Sequence, residues 1–244
     1  MSPAMEPLVF AALGVLGGAV AAVSGFGIGS ILTPFLLLTF PAAEAVAIVA
    51  LPHVVATSLR LWSLRSDIDW PTFRQFGVAS AAGGLAGAAL QPVLGSVVLT
   101  LVLAALLLAA GGSELARRPV PLPPTRFWRL SGGTLSGLFG GLVGNQGGIR
   151  AAALLGFRLE TRALVATSTA SALLVDAARV PVYLVVRGDI VQANAPLVLA
   201  GTVGVVLGTF VGVPVLGRMP RALYRQIVGA LLVALGVGLA IMAL

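Results

Sequence analysis

Six apolar runs, at 43–63, 72–90, 93–112, 162–186, 195–213 and 222–243, are each long enough to cross the hydrocarbon of a bilayer as a helix; a span takes about 20 residues at about 1.5 Å each. Composition agrees with that constraint, because a chain that is 58% hydrophobic and 9% charged, with a mean hydropathy of +1.06, lacks the charged surface a soluble domain needs. The fold class that follows is an all-α polytopic membrane protein. A net charge of +7 would suggest nucleic acid as a partner in a soluble chain. Here the arginines lie in short loops between apolar runs, where they act as topology signals. The absence of cysteine removes disulfides, thiolate metal sites and cysteine nucleophiles together, and a single histidine is too few for a histidine-rich metal site. No metal, cofactor or catalytic group is expected. The apolar run from Leu8 to Val23 is preceded only by Glu6, unlike the positive start of a cleaved signal peptide, and is expected to stay in the mature fold.

Four further pieces are shorter than a full span, 8–23 paired with 30–40 and 130–143 paired with 148–157. Each pair is split by glycine: Gly25-Phe26-Gly27-Ile28-Gly29 in the first, Gly144-Asn145-Gln146-Gly147-Gly148-Ile149-Arg150 in the second. Glycine lets backbone turn sharply or approach a ligand closely. Broken backbone at membrane depth is tolerated only where it is buried in protein or lines a cavity. The second break, with its two amides and an arginine, is read as a polar site.

The two breaks belong to an internal repeat. Glycines stand five, seven and nine residues before Pro34, and Gly148, Gln146 and Gly144 take the same offsets before Ala153. Arg65-Ser66-Asp67-Ile68 matches Arg187-Gly188-Asp189-Ile190, Gly83-x-x-x-Gly87 matches Gly204-x-x-x-Gly208, and Pro92-Val93-Leu94-Gly95 recurs as Pro214-Val215-Leu216-Gly217, at offsets of 119 to 122 residues. The expected organisation is a first repeat at 1–122, with a re-entrant hairpin at 8–40, and a second at 123–244, with a re-entrant hairpin at 130–157; three transmembrane helices follow each hairpin. Small-x-x-x-small spacing lets helices approach closely in lipid, so the paired glycines mark interior contacts.

The arginines decide orientation. All 15 basic residues are arginine, and 13 are read as lying outside the apolar interior. If each split segment crosses the membrane once, these divide 8 against 5; if each returns to its own side, 12 share one side and only Arg187 lies opposite. The positive-inside rule favours re-entry. Three crossings per half then make the repeats inverted, with both termini outside the cytoplasm.

Inverted repeats with broken helices meeting at mid-bilayer are a secondary-transporter design, in which half-helix N-termini aim unpaired N–H groups at an anionic substrate. Here those half-helices are expected to begin near Ser30 and Gly148. The site residues expected from this reading are Arg150, Asn145, Gln146, Gly147, Gly148, Gly27, Gly29, Ser30, His53, Thr167, Ser168, Asp176 and Arg179. Each central charge costs about 2.5 to 3.5 kcal/mol and needs a partner. Asp176 can pair with Arg179, three residues on, as a structural lock between helices, or with Arg150; in either case one interior positive charge remains. Arg150 is read as an anion ligand through its planar fork or as paired with Asp176 or loop carbonyls, while Asn145 and Gln146 are read as anion donors or as caps of the broken helix ends. His53 is read as a proton relay or ligand donor, or as bonded to a carbonyl; Ser30 as a helix N-cap; and most of the Thr167–Ser171 hydroxyls as bonded within their own helix.

Gly25-x-Gly27-x-Gly29-x4-Pro34, its second copy Gly144-x-Gln146-Gly147-Gly148 and the later Ala166-Thr167-Ser168 together resemble the TauE/SafE family over nearly the whole chain. The second copy departs from the family pattern with Ala153 in place of proline, and the first has Val49-Ala50 where Thr-Ser would stand. The resemblance implies an exporter of sulfite or an organosulfonate, multi-pass in a cell membrane such as the bacterial inner membrane. Its partners are then the small anion, the lipid bilayer and, as one admissible state, a second copy in a homodimer. A carrier for another anion such as a carboxylate, or an anion channel, are the alternatives. An enzyme is not expected, since no run presents an acidic cluster or metal-binding His/Glu spacing.

Overall fold

In the computed structural model, which describes residues 5–116, 125–157, 159–216 and 218–244, every regular element among the described residues is helical. The first half contains α1 (Met5–Ser24), α2 (Ile28–Leu36), α3 (Ala42–Leu64), α4 (Trp70–Thr72), α5 (Val78–Leu90) and α6 (Ser96–Ala116). The second contains α7 (Arg126–Val143), α8 (Gly147–Leu155), α9 (Thr161–Ala193), α10 (Ala195–Leu216) and α11 (Arg221–Ala243). Seven helical stretches are long and apolar enough to cross a membrane, and all six full-length apolar runs of the sequence are among them. The chain is an all-α, multi-pass membrane protein. The repeat boundary at 122/123, Arg117, Arg118, Arg158 and Gly217 lie outside the described residues.

Both glycine breaks turn the chain back on itself. Gly25, Gly27 and Gly144 have φ of 80°, 138° and 69°, a region that side chains with a Cβ rarely adopt. Beyond the first turn, α2 returns along α1: the Phe10 and Phe35 rings stack at 6.0 Å, and Gly17 lies against Ile28. Beyond the second, α8 returns along α7, with Gly140 against Gln146 and the Arg129 guanidinium 4.6 Å from the centre of the Phe157 ring. The arms are unequal, which corrects the expectation of four short pieces. The first arms run 20 and 18 residues, while α2 and α8 have 9 each. The extra length comes from polar first turns that a hydrophobic run does not count, Met5–Pro7 in α1 and Arg126–Arg129 in α7, where Thr125 Oγ1 accepts from Trp128 N. Ser30 is not an N-cap; Gly27 holds that position, and Ser30 lies in the first turn of α2.

Glycine also sets how the helices pair. On α10, Gly204, Gly208 and Gly212 lie directly against the backbone of Ala11, Val15 and Ala19 of α1, in parallel register. On α5, Gly83 and Gly87 lie against the carbonyls of Thr134 and Leu138 of α7, again in parallel. A Cβ at any of these positions would collide with the neighbouring helix. With no hydrophobic drive between helices in lipid, such close approach supplies the packing energy. Helices α6 and α11 pack antiparallel, Gly111 against Gly229 and Gly236 against Ala104 and Leu108. Helices α3 and α9 are also antiparallel, tied by His53–Asp176 at 2.7 Å and by Asp67–Arg162 at 3.5 Å just beyond the end of α3.

These directions bring Arg65, Arg74, Arg126, Arg129, Arg162 and Arg225 to one end of the bundle, and Arg187 to the other, where a non-helical φ of −140° kinks α9. Arg60 departs from the loop reading. It is only 8% exposed and lies inside α3.

Candidate functional site

The two hairpin tips meet in the interior. Gly29 faces the Gly144 carbonyl, a Cβ on Gly147 would collide with the Phe26 ring, and Asn145 Nδ2 donates to Ser30 Oγ at 3.2 Å. Neither α2 nor α8 has a side-chain cap. Their first backbone bonds are Ile31 N to Gly27 O and Arg150 N to Gln146 O, so the amides before these two have no partner within their helix. Two sets of unpaired N–H groups therefore start at the junction of the tips, where the helix dipoles favour negative charge.

A cavity of about 330 Å³ opens from this junction between α6, α8 and α11. Phe26, Asn145, Gln146 and Gly148 form its inner wall, and the Arg225–Glu114 ion pair, at 2.8 Å, stands at the arginine-rich end. Gln146 is 4% exposed, and neither its Oε1 nor its Nε2 has a partner in the protein. Of the expected site residues, Asn145, Gln146 and Gly148 line this cavity, while Gly27, Gly29, Ser30 and Gly147 build the tips behind it.

The expected charges form a second cluster. Asp176 is 0% exposed; its Oδ1 accepts from Arg179 Nε at 2.9 Å and Nη2 at 2.8 Å, and its Oδ2 lies 2.7 Å from His53 Nδ1. Asp176 therefore pairs with Arg179, and His53 bonds a carboxylate instead of a carbonyl. Arg179 also donates through Nη1 to Gly140 O at 2.5 Å; beside it Tyr183 donates to Gly141 O, and Gln91 Nε2 donates to Leu142 O at 2.8 Å. Three buried donors thus satisfy the carbonyls at the C-terminal end of α7, which a helix that stops inside lipid leaves open.

Arg150 is 2% exposed and faces away from the cavity, toward α9 and the end of α1. Its Nε donates to Ser168 Oγ at 2.8 Å and its Nη2 to Gly25 O at 3.1 Å, while Nη1 has no partner. The bidentate fork expected from the sequence is therefore partly occupied by protein. Thr167 Oγ1 accepts from Asp69 N at 3.0 Å, whereas Thr169 and Ser171 bond back to Val165 O and Thr167 O, as expected for hydroxyls on a helix.

Sequence reasoning missed Arg60. Its Nη1 donates to Ala21 O at 2.6 Å and its Nε is buried without a partner. The signal was available in the repeat, since Arg60 stands 119 residues before Arg179. Counting Arg60, Arg150 and Arg179 against Asp176 leaves two surplus positive charges inside the protein, where the sequence reading had one.

A family model described as Sulfite exporter TauE/SafE matches residues 10–239, from the second turn of α1 almost to the end of α11. No curated protein and no solved structure matches the chain. With both glycine-broken hairpins and all seven candidate spans inside or overlapping the matched region, the chain belongs to the TauE/SafE sulfite exporter family of membrane transporters.

Proposed function

We propose that this protein is a secondary transporter that exports a small oxyanion of the sulfite or organosulfonate class across a cell membrane, such as the bacterial inner membrane, by alternating access. The observation that carries the reading is the pair of buried guanidiniums, Arg60 and Arg150, that hold carbonyls at the end of α1 and form no ion pair among the described residues. A buried charge at membrane depth costs about 2.5 to 3.5 kcal/mol even on lenient scales. An oxyanion relieves that cost when it arrives and restores it when it leaves, which is what a carrier site requires.

In this reading the anion enters through the cavity past Glu114 and Arg225, meets the amides of Asn145 and Gln146, and gains from the N-terminal dipoles of α2 and α8. Arg150, on the opposite face of α8, supplies positive charge from behind the cavity wall, and its free Nη1 stands beside the end of α1. Asp176, Arg179 and His53 brace the second hairpin, and Gly27, Gly29, Gly147 and Gly148 allow the close approach of the two tips.

The halves are then inverted repeats. Support comes from the exchange of partners: the first arm of each half packs in parallel on the third long helix of the other, while α3–α9 and α6–α11 pair antiparallel. Equivalent helices run antiparallel when a two-fold axis lies across them, as it does in inverted transporters. The arginine-rich end is cytoplasmic by the positive-inside rule.

Saturable counterflow of sulfite or methanesulfonate by the purified protein in proteoliposomes, lost in Arg150→Ala, is the expected result. Unitary conductance without counterflow would make the protein a channel. A wild-type protein indifferent to sulfite, sulfonates, sulfate and carboxylates would remove the reading altogether.

A further inference from the structure

Arg60 and Arg179 hold equivalent places in the two halves. They stand 119 residues apart, and so do the carbonyls they hold, Ala21 O and Gly140 O. The positive-φ glycines that end the first arms, Gly25 and Gly144, keep the same spacing. Each arginine therefore satisfies the C-terminal end of the long arm in its own half.

The halves differ in what surrounds that arginine. Three residues before Arg179 is Asp176, which takes two of its nitrogens. Three residues before Arg60 is Thr57, fully buried, and no ion pair among the described residues includes Arg60. Arg60 keeps Nε without a partner, and Arg150, which holds Gly25 O one helical turn beyond Ala21 O, keeps Nη1 without one. Two guanidiniums with unused donors thus flank the last turn of α1.

We infer that Arg60 is an anion-contact residue of the transport site, and that the transported oxyanion supplies to Arg60 the negative charge that Asp176 supplies permanently to Arg179. The inference rests on the transport reading above and adds to it a residue and the reason for its open charge. Thr57 is the vacancy in this arrangement: a neutral side chain where the other half has a carboxylate keeps the first-half arginine available to a mobile ligand. An oxyanion with several acceptor oxygens suits two guanidiniums better than a monatomic anion does.

Filling the vacancy tests this. Purified wild type, Thr57→Asp and Thr57→Asn are titrated with methanesulfonate, sulfite and acetate, and stabilisation against heat is followed. Thr57 Oγ1 lies 3.4 Å from His53 Nδ1, beside Asp176, so the readout is the difference between the two variants. Thr57→Asp is expected to bind the oxyanions at least about tenfold more weakly than Thr57→Asn, because a tethered carboxylate competes for Arg60. Thr57→Asn has the same shape without the charge and is expected to stay within about threefold of wild type. Equal binding by the Asp and Asn variants overturns the inference while leaving transport intact. If Thr57→Asp is not monodisperse, Arg60→Gln, which removes the charge and keeps a polar side chain, decides. Loss of at least about tenfold in affinity from a folded protein supports a contact role, and unchanged affinity refutes it. A wild type that none of the three anions stabilises refutes the transport reading itself.

Discussion

Asp176→Asn separates a brace from a decoration. The wild-type carboxylate is fully buried and serves three donors, Nε and Nη2 of Arg179 and Nδ1 of His53. The substitution keeps the shape and removes the charge, which leaves Arg179, 1% exposed, as an uncompensated cation held mainly by Gly140 O. Breaking a buried pair from one side costs about 3–5 kcal/mol, because the remaining charge stays desolvated. Removing Arg179 as well, in Asp176→Asn/Arg179→Gln, deletes that stranded charge and sacrifices chiefly the charge-assisted bond to Gly140 O, worth about 1.5–3 kcal/mol. The double variant is therefore expected to be more stable than Asp176→Asn alone, with a coupling energy of about 2 kcal/mol or more. Denaturant titration of the four proteins in detergent, read as a double-mutant cycle, measures it. Additivity within about 0.5 kcal/mol would show that the two residues do not act as a pair, and the account of the brace would fail.

Gly144→Ala is expected to cost about 1–2 kcal/mol in the same titration, since φ is 69° and the new Cβ would lie 3.3 Å from Val46. Gly188→Ala, with nothing within 4 Å of its Cβ, is expected to stay within about 0.5 kcal/mol of wild type. Gly208→Leu places a side chain into the backbone of Val15 and is expected to abolish a monodisperse protein, whereas Gly238→Leu, which meets open space, is expected to be tolerated; size-exclusion chromatography distinguishes them. Arg150→Lys is expected to lower transport at least about tenfold, because one ammonium cannot hold both Ser168 Oγ and Gly25 O and also offer a planar donor to the anion. The chain has no cysteine, so single cysteines can report orientation: an impermeant thiol reagent is expected to reach Trp70→Cys from the cytoplasm and Asp189→Cys, exposed beyond the run 162–186, from the opposite side, and the same-side result would refute the assigned topology.

Helix positions were legible because bilayer thickness and apolar run length measure the same thing. The run 43–63 became Ala42–Leu64, and 222–243 became Arg221–Ala243. The hairpins were legible because only glycine accepts the φ values at Gly25, Gly27 and Gly144. The π-helical turn Phe73–Gly77 inside the run 72–90 was not, since residue composition does not distinguish i+5 from i+4 bonding. Asp176 suits a partner three residues on and a partner from another helix equally well, so composition left the pairing open and packing decided it. Arg150 illustrates a further limit: its position in the chain fixed its depth, but the face of a nine-residue helix depends on where that helix begins. It begins at Gly147, which turns Ile149 and Ala151 toward the cavity and Arg150 toward Ser168. Arg60 was overlooked because an arginine near the end of an apolar run ordinarily extends its head group into the interface.

On the proposed repeat the halves share a backbone plan, and the departures from it fall on the charged residues. Where the second half has Asp176, the first has Thr57; where the first has His53, the second has Ala172; and Arg150 stands where the first half has Ile31, all at the spacing of 119 residues. A fully symmetric charge set would either neutralise both Arg60 and Arg179 and leave Arg150 as the single open cation, or neutralise neither and leave three buried cations without any carboxylate. One occupied and one open counter-charge position avoids both outcomes. In the proposed carrier, Asp176, Arg179 and Tyr183 brace the second hairpin, while the first, held by Arg60 at Ala21 O, Arg150 at Gly25 O and Tyr224 at Val20 O, is the part whose electrostatics an anion would change.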